Sequence, residues 1–282
     1  MLRILLLSVL VAVVLTEPRY LEDLAIEERV IGGEIAKPHS WPWQISLQYQ
    51  SGGKYHHYCG GTLIRPGWVM VAAHCVDTSR IWSVALGDHD IYTHEGPEQY
   101  ISVKGVFIHP NWNPNNVANG NDIALLHLSI DATLSSYVQK ATLPSYGEIM
   151  PFGHTCYITG WGRTQTGGSL SAQLKQAYMP VVDHETCSQG DWWGSSVKDR
   201  MICAGGTTHM SACHGDSGSP LNCLFNGEYV VHGVTSFVSS SGCNTYKKPT
   251  VFTRVSYHVS WLNHIMYENG EDIKDRIPFS HI

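Results

Sequence analysis

Charged residues are scarce in this sequence, and their scarcity excludes several classes of protein. Only 15% of the 282 residues are charged, the formal net charge is −6, and 43% of the residues are hydrophobic. Disordered chains show the opposite balance, so this composition predicts a folded globular protein. The sequence also lacks a run of Lys or Arg, which argues against nucleic acid or a membrane surface as a partner.

Long hydrophobic runs are missing after the first few residues. Arg3 is followed by a nearly unbroken apolar stretch over residues 4–15, shorter than the roughly 20 residues that span a bilayer as a helix. A small residue, Thr16, follows this stretch. The pattern predicts a signal peptide over residues 1–16 and therefore a secreted, extracellular protein. A buried N-terminal helix is the alternative interpretation.

The short Cys-x-x-Cys spacing that is typical of structural zinc sites is absent, and so is an acceptor motif for N-glycosylation. Cysteine itself occurs eight times, always after residue 58. In a secreted protein an even number of cysteines predicts disulfides, here four, although counting alone leaves 105 pairings open. The cysteines are Cys59, Cys75, Cys156, Cys187, Cys203, Cys213, Cys223 and Cys243.

An acidic segment over residues 17–29 ends in Arg29 and is followed by the apolar start Val30-Ile31. A basic residue at such a junction is typical of a proteolytic processing site. We therefore predict cleavage after Arg29, with residues 17–29 as a propeptide and residues 30–267 as the main domain. A polar tail over residues 268–282 completes the chain, and its residues indicate no chemistry.

Short apolar segments separated by Gly, Pro, Asn and Ser fill the main domain. Their spacing predicts an all-β fold of antiparallel barrels or a sandwich, divided into two β subdomains near residues 140–150. One helix is predicted close to the C-terminus, with Ser256 as its cap. Its apolar face contains Val259, Leu262, Ile265 and Met266. The predicted strands include residues 44–49, 69–73, 81–86, 101–108, 123–128, 155–159, 177–182 and 229–237.

Three polar segments contain the candidate catalytic residues. In Gly215-Asp216-Ser217-Gly218 a serine lies between glycines that permit a tight turn, and a serine nucleophile needs an adjacent base. His74 follows an apolar strand, and Asp122 precedes one, where a carboxylate must be paired once it is buried. Each residue alone is equally typical of an ordinary turn or core position. Together they have the order His, Asp, Ser that chymotrypsin-type enzymes show.

Further motifs between Val30 and His264 accompany these three. They are Ser40-Trp41-Pro42-Trp43-Gln44, Cys59-Gly60-Gly61-Thr62-Leu63-Ile64 and Tyr157-Ile158-Thr159-Gly160-Trp161-Gly162. On these residues the sequence resembles the chymotrypsin/trypsin family of serine proteases, and within that family the pancreatic elastases. The resemblance implies two six-stranded antiparallel β-barrels with a C-terminal α-helix, and a serine endopeptidase site in the cleft between the barrels.

The resemblance also assigns roles to individual residues. It implies a catalytic triad of His74, Asp122 and Ser217, with Ser236 hydrogen-bonded to Asp122. The backbone N–H groups of Gly215 and Ser217 would form the oxyanion hole. The implied disulfides are Cys59–Cys75, Cys156–Cys223, Cys187–Cys203 and Cys213–Cys243.

Activation by a trypsin-like protease is a further implication of the resemblance. Cleavage after Arg29 would free the amine of Val30, which would insert and pair with Asp216. That ion pair would draw the backbone of residues 215–217 into its oxyanion-binding shape. In the family's usual serine motif a second glycine follows Gly218. Here Ser219 takes that position and places a side chain behind Ser217.

Substrate preference follows from three positions of the implied specificity pocket. Ser211 would lie at its base without a charge, and the branched side chains of Val238 and Thr250 would block a deep slot. We therefore expect cleavage after small apolar residues such as Ala and Val. Two alternatives stay open. One is a catalytically weak or inactive homologue that acts as a binding protein, and the other is a chymotrypsin-like enzyme with broader specificity.

An acidic segment over residues 88–98 is a candidate calcium site, because calcium prefers carboxylate and carbonyl oxygens. The family's calcium loop falls here, and by match its ligands would be Asp88, Asp90, Thr93 and Glu98. A solvated acidic loop is the alternative. No organic cofactor is expected. The expected partners are protein and peptide substrates, the activating protease and protein protease inhibitors, and the protein is expected to be a monomer.

Overall fold

A computed structural model describes residues 33–163, 165–206 and 211–270 of the chain. Fourteen strands and two α-helices occur in this part. The strands are β1 (Glu34–Ile35), β2 (Gln44–Ser51), β3 (Lys54–Arg65), β4 (Trp68–Val71), β5 (Trp82–Leu86), β6 (Gln99–Ile108), β7 (Ala124–Leu128), β8 (Cys156–Gly160), β9 (Lys175–Tyr178), β10 (Val181–Val182), β11 (Met201–Ala204), β12 (Pro220–Phe225), β13 (Glu228–Phe237) and β14 (Thr250–Arg254). The helices are α1 (His184–Cys187) and α2 (Val255–Glu268). The mostly β architecture with a C-terminal helix confirms the expected fold class.

The first six-stranded unit is a closed antiparallel barrel with the strand order β2-β3-β4-β7-β6-β5. Closure satisfies the backbone hydrogen bonds of every strand and leaves no free sheet edge. Apolar side chains fill its interior, among them Ile45, Leu63, Met70 and Leu125, all of which are fully buried. This packed barrel is the rigid support for His74 and Asp122, which follow β4 and precede β7 respectively.

The second unit is an eight-stranded antiparallel sheet with the order β1-β9-β8-β12-β13-β14-β11-β10. This sheet differs from the expected six-stranded barrel. Its two edge strands are not hydrogen-bonded to each other in the described part of the chain, so the sheet is not closed. Its edge strands β1 and β10 contain two residues each. The single strand predicted over residues 177–182 is interrupted, since Pro180 separates β9 from β10 and has no N–H for the ladder.

The C-terminal helix buries the predicted apolar face. Val259, Leu262 and Met266 are fully buried and belong to the core cluster of the first barrel, and Ile265 packs against it. The prediction that Ser256 caps this helix is wrong. The N-cap is Arg254, without a side-chain capping bond, and the Ser256 hydroxyl lies inside the helix and donates to the carbonyl of Glu148 at 2.5 Å. The Ser256 hydroxyl is therefore engaged in a tertiary hydrogen bond with Glu148 and does not cap the helix.

Four disulfides link the described cysteines, as expected for their number. The bonds are Cys59–Cys75, Cys156–Cys223, Cys187–Cys203 and Cys213–Cys243, the same pairs that the family resemblance implies. No helix in the described residues is long and apolar enough to cross a membrane. The predicted signal peptide, the propeptide with Arg29, the new terminus at Val30 and most of the 268–282 tail lie outside the described residues.

Candidate active site

His74 and Asp122 form a doubly hydrogen-bonded pair. The backbone N–H of His74 donates to Asp122 Oδ1 at 3.0 Å, and His74 Nδ1–H donates to Asp122 Oδ2 at 2.7 Å. Asp122 is fully buried, whereas 29% of the His74 side chain is exposed. Burial disfavours the charged imidazole, but the charge and hydrogen bond of Asp122, together with Asp77, raise the pKa of His74 above its ordinary value. The pair therefore orients a base whose Nε2, which lies 3.8 Å from Cys75 Sγ, is the nitrogen that can accept a proton.

Two further hydroxyls hold Asp122 from the second sheet. Ser236 Oγ–H donates to Asp122 Oδ2 at 2.5 Å, as the resemblance implies, and Thr253 Oγ1–H donates to the Asp122 carbonyl at 2.8 Å. Ser236 belongs to β13 and Thr253 to β14. The carboxylate of the barrel is thus oriented by the sheet that also supports Ser217, so the two units are joined at this site.

Ser217 faces the same cleft. Its carbonyl accepts the N–H of Gly60 at 2.8 Å, and Gly60 follows Cys59, whose disulfide partner Cys75 is adjacent to His74. The structure shows no hydrogen bond between Ser217 Oγ and His74 Nε2. Catalytic hydrogen bonds are often long before substrate binds. The structure therefore brings the three predicted triad residues to one cleft, and two of them are in direct contact.

The backbone before Ser217 has the shape of an anion-binding loop. Gly215 has φ of +99°, a conformation that side chains disfavour, and a Cβ there would lie 2.6 Å from Leu170. Neither the N–H of Gly215 nor that of Ser217 donates to an acceptor within the described residues. Two unpaired N–H groups beside a nucleophile are the donors that a developing oxyanion requires.

His57 orients this loop, and sequence reasoning missed its role. The ring is half-buried; its Nδ1 accepts from Ser46 Oγ–H at 2.8 Å, and its Nε2–H donates to the Gly215 carbonyl at 3.2 Å. Burial lowers the pKa of His57 to about 4, while the bond to Gly215 opposes that shift. The imidazole therefore stays neutral near pH 7. The sequence indicates only that His56-His57 are surface or core residues. His57 is 158 positions away from Gly215 in the sequence, and only the fold brings the two into contact.

Asp216 is a buried carboxylate with no cationic partner among the described residues. Its oxygens accept the N–H groups of Gly162 and Cys213, both at 2.9 Å, and its exposed fraction is 1%. Burial raises the pKa of Asp216 to about 7, and the two N–H donors only partly offset this rise. A carboxylate in this state is strongly stabilised when a cation reaches it.

Ser219 fits behind Ser217 because its neighbours lack side chains. It is fully buried, and a Cβ on Gly60 would lie only 1.9 Å from Ser219 Oγ. The hydroxyl accepts a long bond of 3.4 Å from Gln44 Nε2, and the Ser219 carbonyl accepts from Thr235. Gly60 therefore provides the space that this additional hydroxyl occupies.

A cavity of about 310 Å³ opens beside Ser217 and is lined by residues of the second unit, including Cys213, His214, Ser236 and Val238. No carboxylate or primary amine lines it among the described residues. The other two predicted pocket residues, Ser211 and Thr250, lie behind its wall. Their hydroxyls are 3.2 Å apart, both residues are buried, and Thr250 Oγ1 also accepts the N–H of Ala212 at 3.0 Å. They support the lining residue Ala212 from behind, so the expectation that they line the base and wall of this cavity is not met.

The acidic loop gathers three carboxylates. Ligand oxygens of Asp88, Glu95 and Glu98 lie within 4.8 Å of one another. Asp88 Oδ1 is buried and has no hydrogen-bond partner. Burial, together with the nearby charges of Glu98, Glu95 and Asp90, raises the pKa of Asp88 to about 7. An unpartnered buried carboxylate beside two others is what a divalent cation would stabilise, so these residues fit calcium.

The structure modifies the predicted set of calcium ligands. Glu95, which the predicted set omits, contributes a carboxylate to this cluster, and its Oε2 also accepts the N–H of Asp90. Asp90 Oδ1 is engaged by the N–H of Tyr92, and the Thr93 N–H donates to the Asp90 carbonyl. The turn over Asp90 and Thr93 therefore shapes the loop, while Asp88, Glu95 and Glu98 supply the carboxylates that lie close together.

Comparison with known proteins agrees with this arrangement. The family model described as Trypsin matches residues 30–262, so the chain belongs to the trypsin family, and it is a serine endopeptidase. It is 58% identical over 238 residues to chymotrypsin-like elastase family member 1 of Rattus norvegicus, covering 84% of this chain and 90% of that protein. The Homo sapiens protein of the same name is 56% identical over 86% of this chain and 93% of its own length. Proproteinase E of Bos taurus is 56% identical over 86% of this chain and 96% of its own.

Proposed function

We propose that the protein is a secreted, elastase-like endopeptidase that cleaves peptide bonds after small apolar residues such as Ala and Val. The observation that carries this proposal is the cavity beside Ser217, which Val238 lines and whose described lining contains no carboxylate or primary amine. A Lys or Arg side chain would be desolvated there without a partner. A large aromatic ring would meet the branched side chain of Val238 in the cavity lining.

The chemistry follows from the roles that the family's prototype triad defines. Ser217 Oγ attacks the scissile carbonyl, His74 Nε2 accepts its proton, and the acyl-enzyme forms as His74 returns that proton to the leaving amine. Asp122 holds the imidazole with Nδ1 protonated and stabilises the imidazolium. The N–H groups of Gly215 and Ser217 stabilise the oxyanion. A water then repeats the sequence and releases the acid product.

A panel of matched peptides tests the proposed specificity. We expect kcat/KM for cleavage after Ala or Val to exceed that after Phe or Arg by about 10- to 200-fold, the range that a few pocket contacts supply. Val238→Gly should raise cleavage after Phe because it removes the wall, whereas Val106→Ala, at an exposed position of β6, is the matched control. Faster cleavage after Phe or Arg than after Ala by the unmodified enzyme would contradict the proposal.

We also infer that the protein is a zymogen. Asp216 is a buried carboxylate that lacks a cation in the described residues, and it is adjacent to the serine whose N–H must face the oxyanion. The amine of Val30, freed by cleavage after Arg29, would supply that cation. Secretion is supported by the apolar stretch at residues 4–15 and by four disulfides, which persist in oxidising compartments. Protein inhibitors that fill the same cleft and a monomeric state remain part of this proposal.

Activation is tested by Arg29→Gln. We expect trypsin treatment of the wild-type precursor to create an N-terminus at Val30 and full activity, while the Arg29→Gln precursor stays soluble and inactive because its Val30 amine is never freed. N-terminal sequencing and hydrolysis of an Ala peptide measure both steps. Arg19→Gln, within the same propeptide, is the matched control and should activate normally. Full activity of Arg29→Gln after trypsin would reject this switch.

Calcium is proposed as a structural ion of the acidic loop. Asp88, Glu95 and Glu98 would supply carboxylate oxygens, and the ion would neutralise their mutual repulsion. Such a site would anchor the segment between β5 and β6 on the outside of the first barrel. It would contribute stability to the loop and no step of the reaction.

Removal of calcium has a predictable pH dependence. The folded-state pKa of Asp88, about 7, lies above its ordinary value of 3.8, so without the ion the folded state loses stability as pH rises from about 4 to 7. Chelation should therefore lower Tm at pH 8, by on the order of 5 °C, and much less at pH 5. Asp88→Asn should abolish the calcium shift, and the exposed Glu228→Gln should retain it. If the Tm of the wild type at pH 8 were the same with calcium and after chelation, the proposed site would be refuted.

A further inference from the structure

The guanidinium of Arg80 lies over three aromatic rings. Its Cζ is 4.5 Å from the ring centroid of Tyr49, 4.9 Å from that of Tyr58 and 6.0 Å from that of Trp82. At these distances each ring face attracts a cation. We call Tyr49, Tyr58 and Trp82 the aromatic cage. Its three contacts hold one end of a long, flexible side chain at a defined place on the surface.

The fold of the first barrel builds this cage. Tyr49 of β2 is directly opposite Trp82 of β5. The register of β2 against β3 shifts at Leu47/Gln48, and Tyr58 is the residue left without a partner. A bulge of this kind re-aims a side chain, and the Tyr58 ring meets Tyr49 at 5.7 Å and Trp82 at 5.5 Å between centroids.

Arg80 has no hydrogen bond or ion pair with any residue that the structure describes, and it is exposed. The nearby carboxylate of Asp77 accepts the indole N–H of Trp112 at 3.3 Å. A guanidinium stacked on rings keeps its in-plane N–H groups available, and their fork matches a carboxylate. The caged Arg80 is therefore ordered and uncompensated, and it can bind an acid.

The cage is adjacent to the catalytic centre. Tyr58 precedes Cys59, which is bonded to Cys75 beside His74, and Gly60 donates its N–H to the Ser217 carbonyl. The cavity for the acyl-side residue contains no residue of β2, β3 or β5. The cavity and the cage therefore belong to different units, and Ser217 lines the cavity while its carbonyl contacts Gly60 of β3. Tyr58 is two positions from Gly60 along β3, and an extended peptide advances about 3.3 Å per residue, so the cage is within reach of side chains roughly two to four residues from the scissile bond.

We propose that Arg80 binds an acidic side chain on the leaving-group side of the substrate, so that the enzyme prefers Glu or Asp two to four residues after the bond it cleaves. This inference rests on the proposed function, because it names a second feature of the same substrates. Arg80 is a specificity-determining residue here and takes no part in the chemical step. The caged Arg80 adds a charge-selective site to a cleft whose acyl cavity selects only by size and polarity.

Paired fluorogenic peptides test this preference. Each pair has Ala before the scissile bond and carries Glu or Gln at the second, third or fourth residue after it. We expect the activated wild-type enzyme to favour Glu over Gln by about three- to tenfold in kcat/KM at one or more of these positions, a modest ratio because the pair is exposed. High salt should reduce that ratio. In Arg80→Gln it should fall to about one, and Arg80→Glu should favour Lys over Gln at the same position.

A matched control separates the cage from the net charge of the enzyme. Lys104→Gln makes the same change of charge at an exposed position of β6 and should keep the Glu preference. Equal rates for Glu and Gln at all three positions, or a ratio that survives in Arg80→Gln, would overturn the role of Arg80 while cleavage after Ala still supports the proposed function. Failure to cleave any peptide of the panel would overturn both.

Discussion

Replacing Ser217 with alanine is expected to lower kcat of the activated protein by about 10⁶-fold, the cost of removing a serine nucleophile from a working triad. The loss should be this large because the serine hydroxyl forms the covalent bond in the first chemical step. Ser236, which lines the same cavity, donates its proton to Asp122 and serves the carboxylate. Residual hydrolysis would come from the oxyanion donors and from substrate binding alone.

Hydrolysis of an Ala peptide and covalent labelling by a fluorescent phosphonate measure this effect together. Ser217→Ala should lose both, while its thermal unfolding stays close to that of the wild type, since the hydroxyl makes no hydrogen bond that the structure describes. Ser129→Ala removes a hydroxyl from an exposed position after β7 and is the matched control. Labelling of Ser217→Ala at wild-type stoichiometry would show that another residue is the nucleophile.

Local sequence patterns predicted the strands of the first barrel and the buried face of the C-terminal helix. Alternation and turn residues located most strands of the first barrel, and the spacing of Val259, Leu262 and Met266 located the buried face of α2. The same reasoning could not show that the second sheet stays open, because closure depends on strands far apart in the chain. It also misread Ser256, whose hydroxyl is used by Glu148, 108 positions away.

The residues of the site also fall into two groups, those that sequence motifs predicted and those that only the structure showed. His74, Asp122 and Ser217 could be proposed because their types, order and flanking motifs are specific together. Neither His57, which holds the Gly215 carbonyl, nor Arg80, which lies in the aromatic cage, has such a motif. The barrel register and a bulge create these contacts between residues whose sequence neighbours carry no motif. Positioning residues of this kind become visible only when three-dimensional contacts are known.

Asp122→Asn is expected to lower kcat by about 10⁴-fold, the magnitude of the same change in the family's prototype triad. The structure explains why the loss should be large although the shape is preserved. The backbone N–H of His74 donates to Oδ1, so the amide oxygen of an asparagine would occupy that position. Its NH₂ group would then replace Oδ2 and face His74 Nδ1. An imidazole that accepts a hydrogen bond at Nδ1 carries its single hydrogen on Nε2, and such a tautomer cannot take the proton of Ser217.

The pH dependence separates this tautomer effect from simple disruption. In the wild type, Asp122 raises the pKa of His74, and activity is lost as falling pH protonates Nε2. Without that charge the pKa of His74 should fall, and the residual activity of Asp122→Asn should rise with pH because hydroxide can replace the missing base. Ser236→Ala, which removes one hydrogen bond but keeps the charge, should cost far less and retain the wild-type pH profile. A variant Asp122→Asn with near-normal kcat at pH 7 would mean that the tautomer of His74 is not set by this carboxylate, and the assignment of the triad would fail with it.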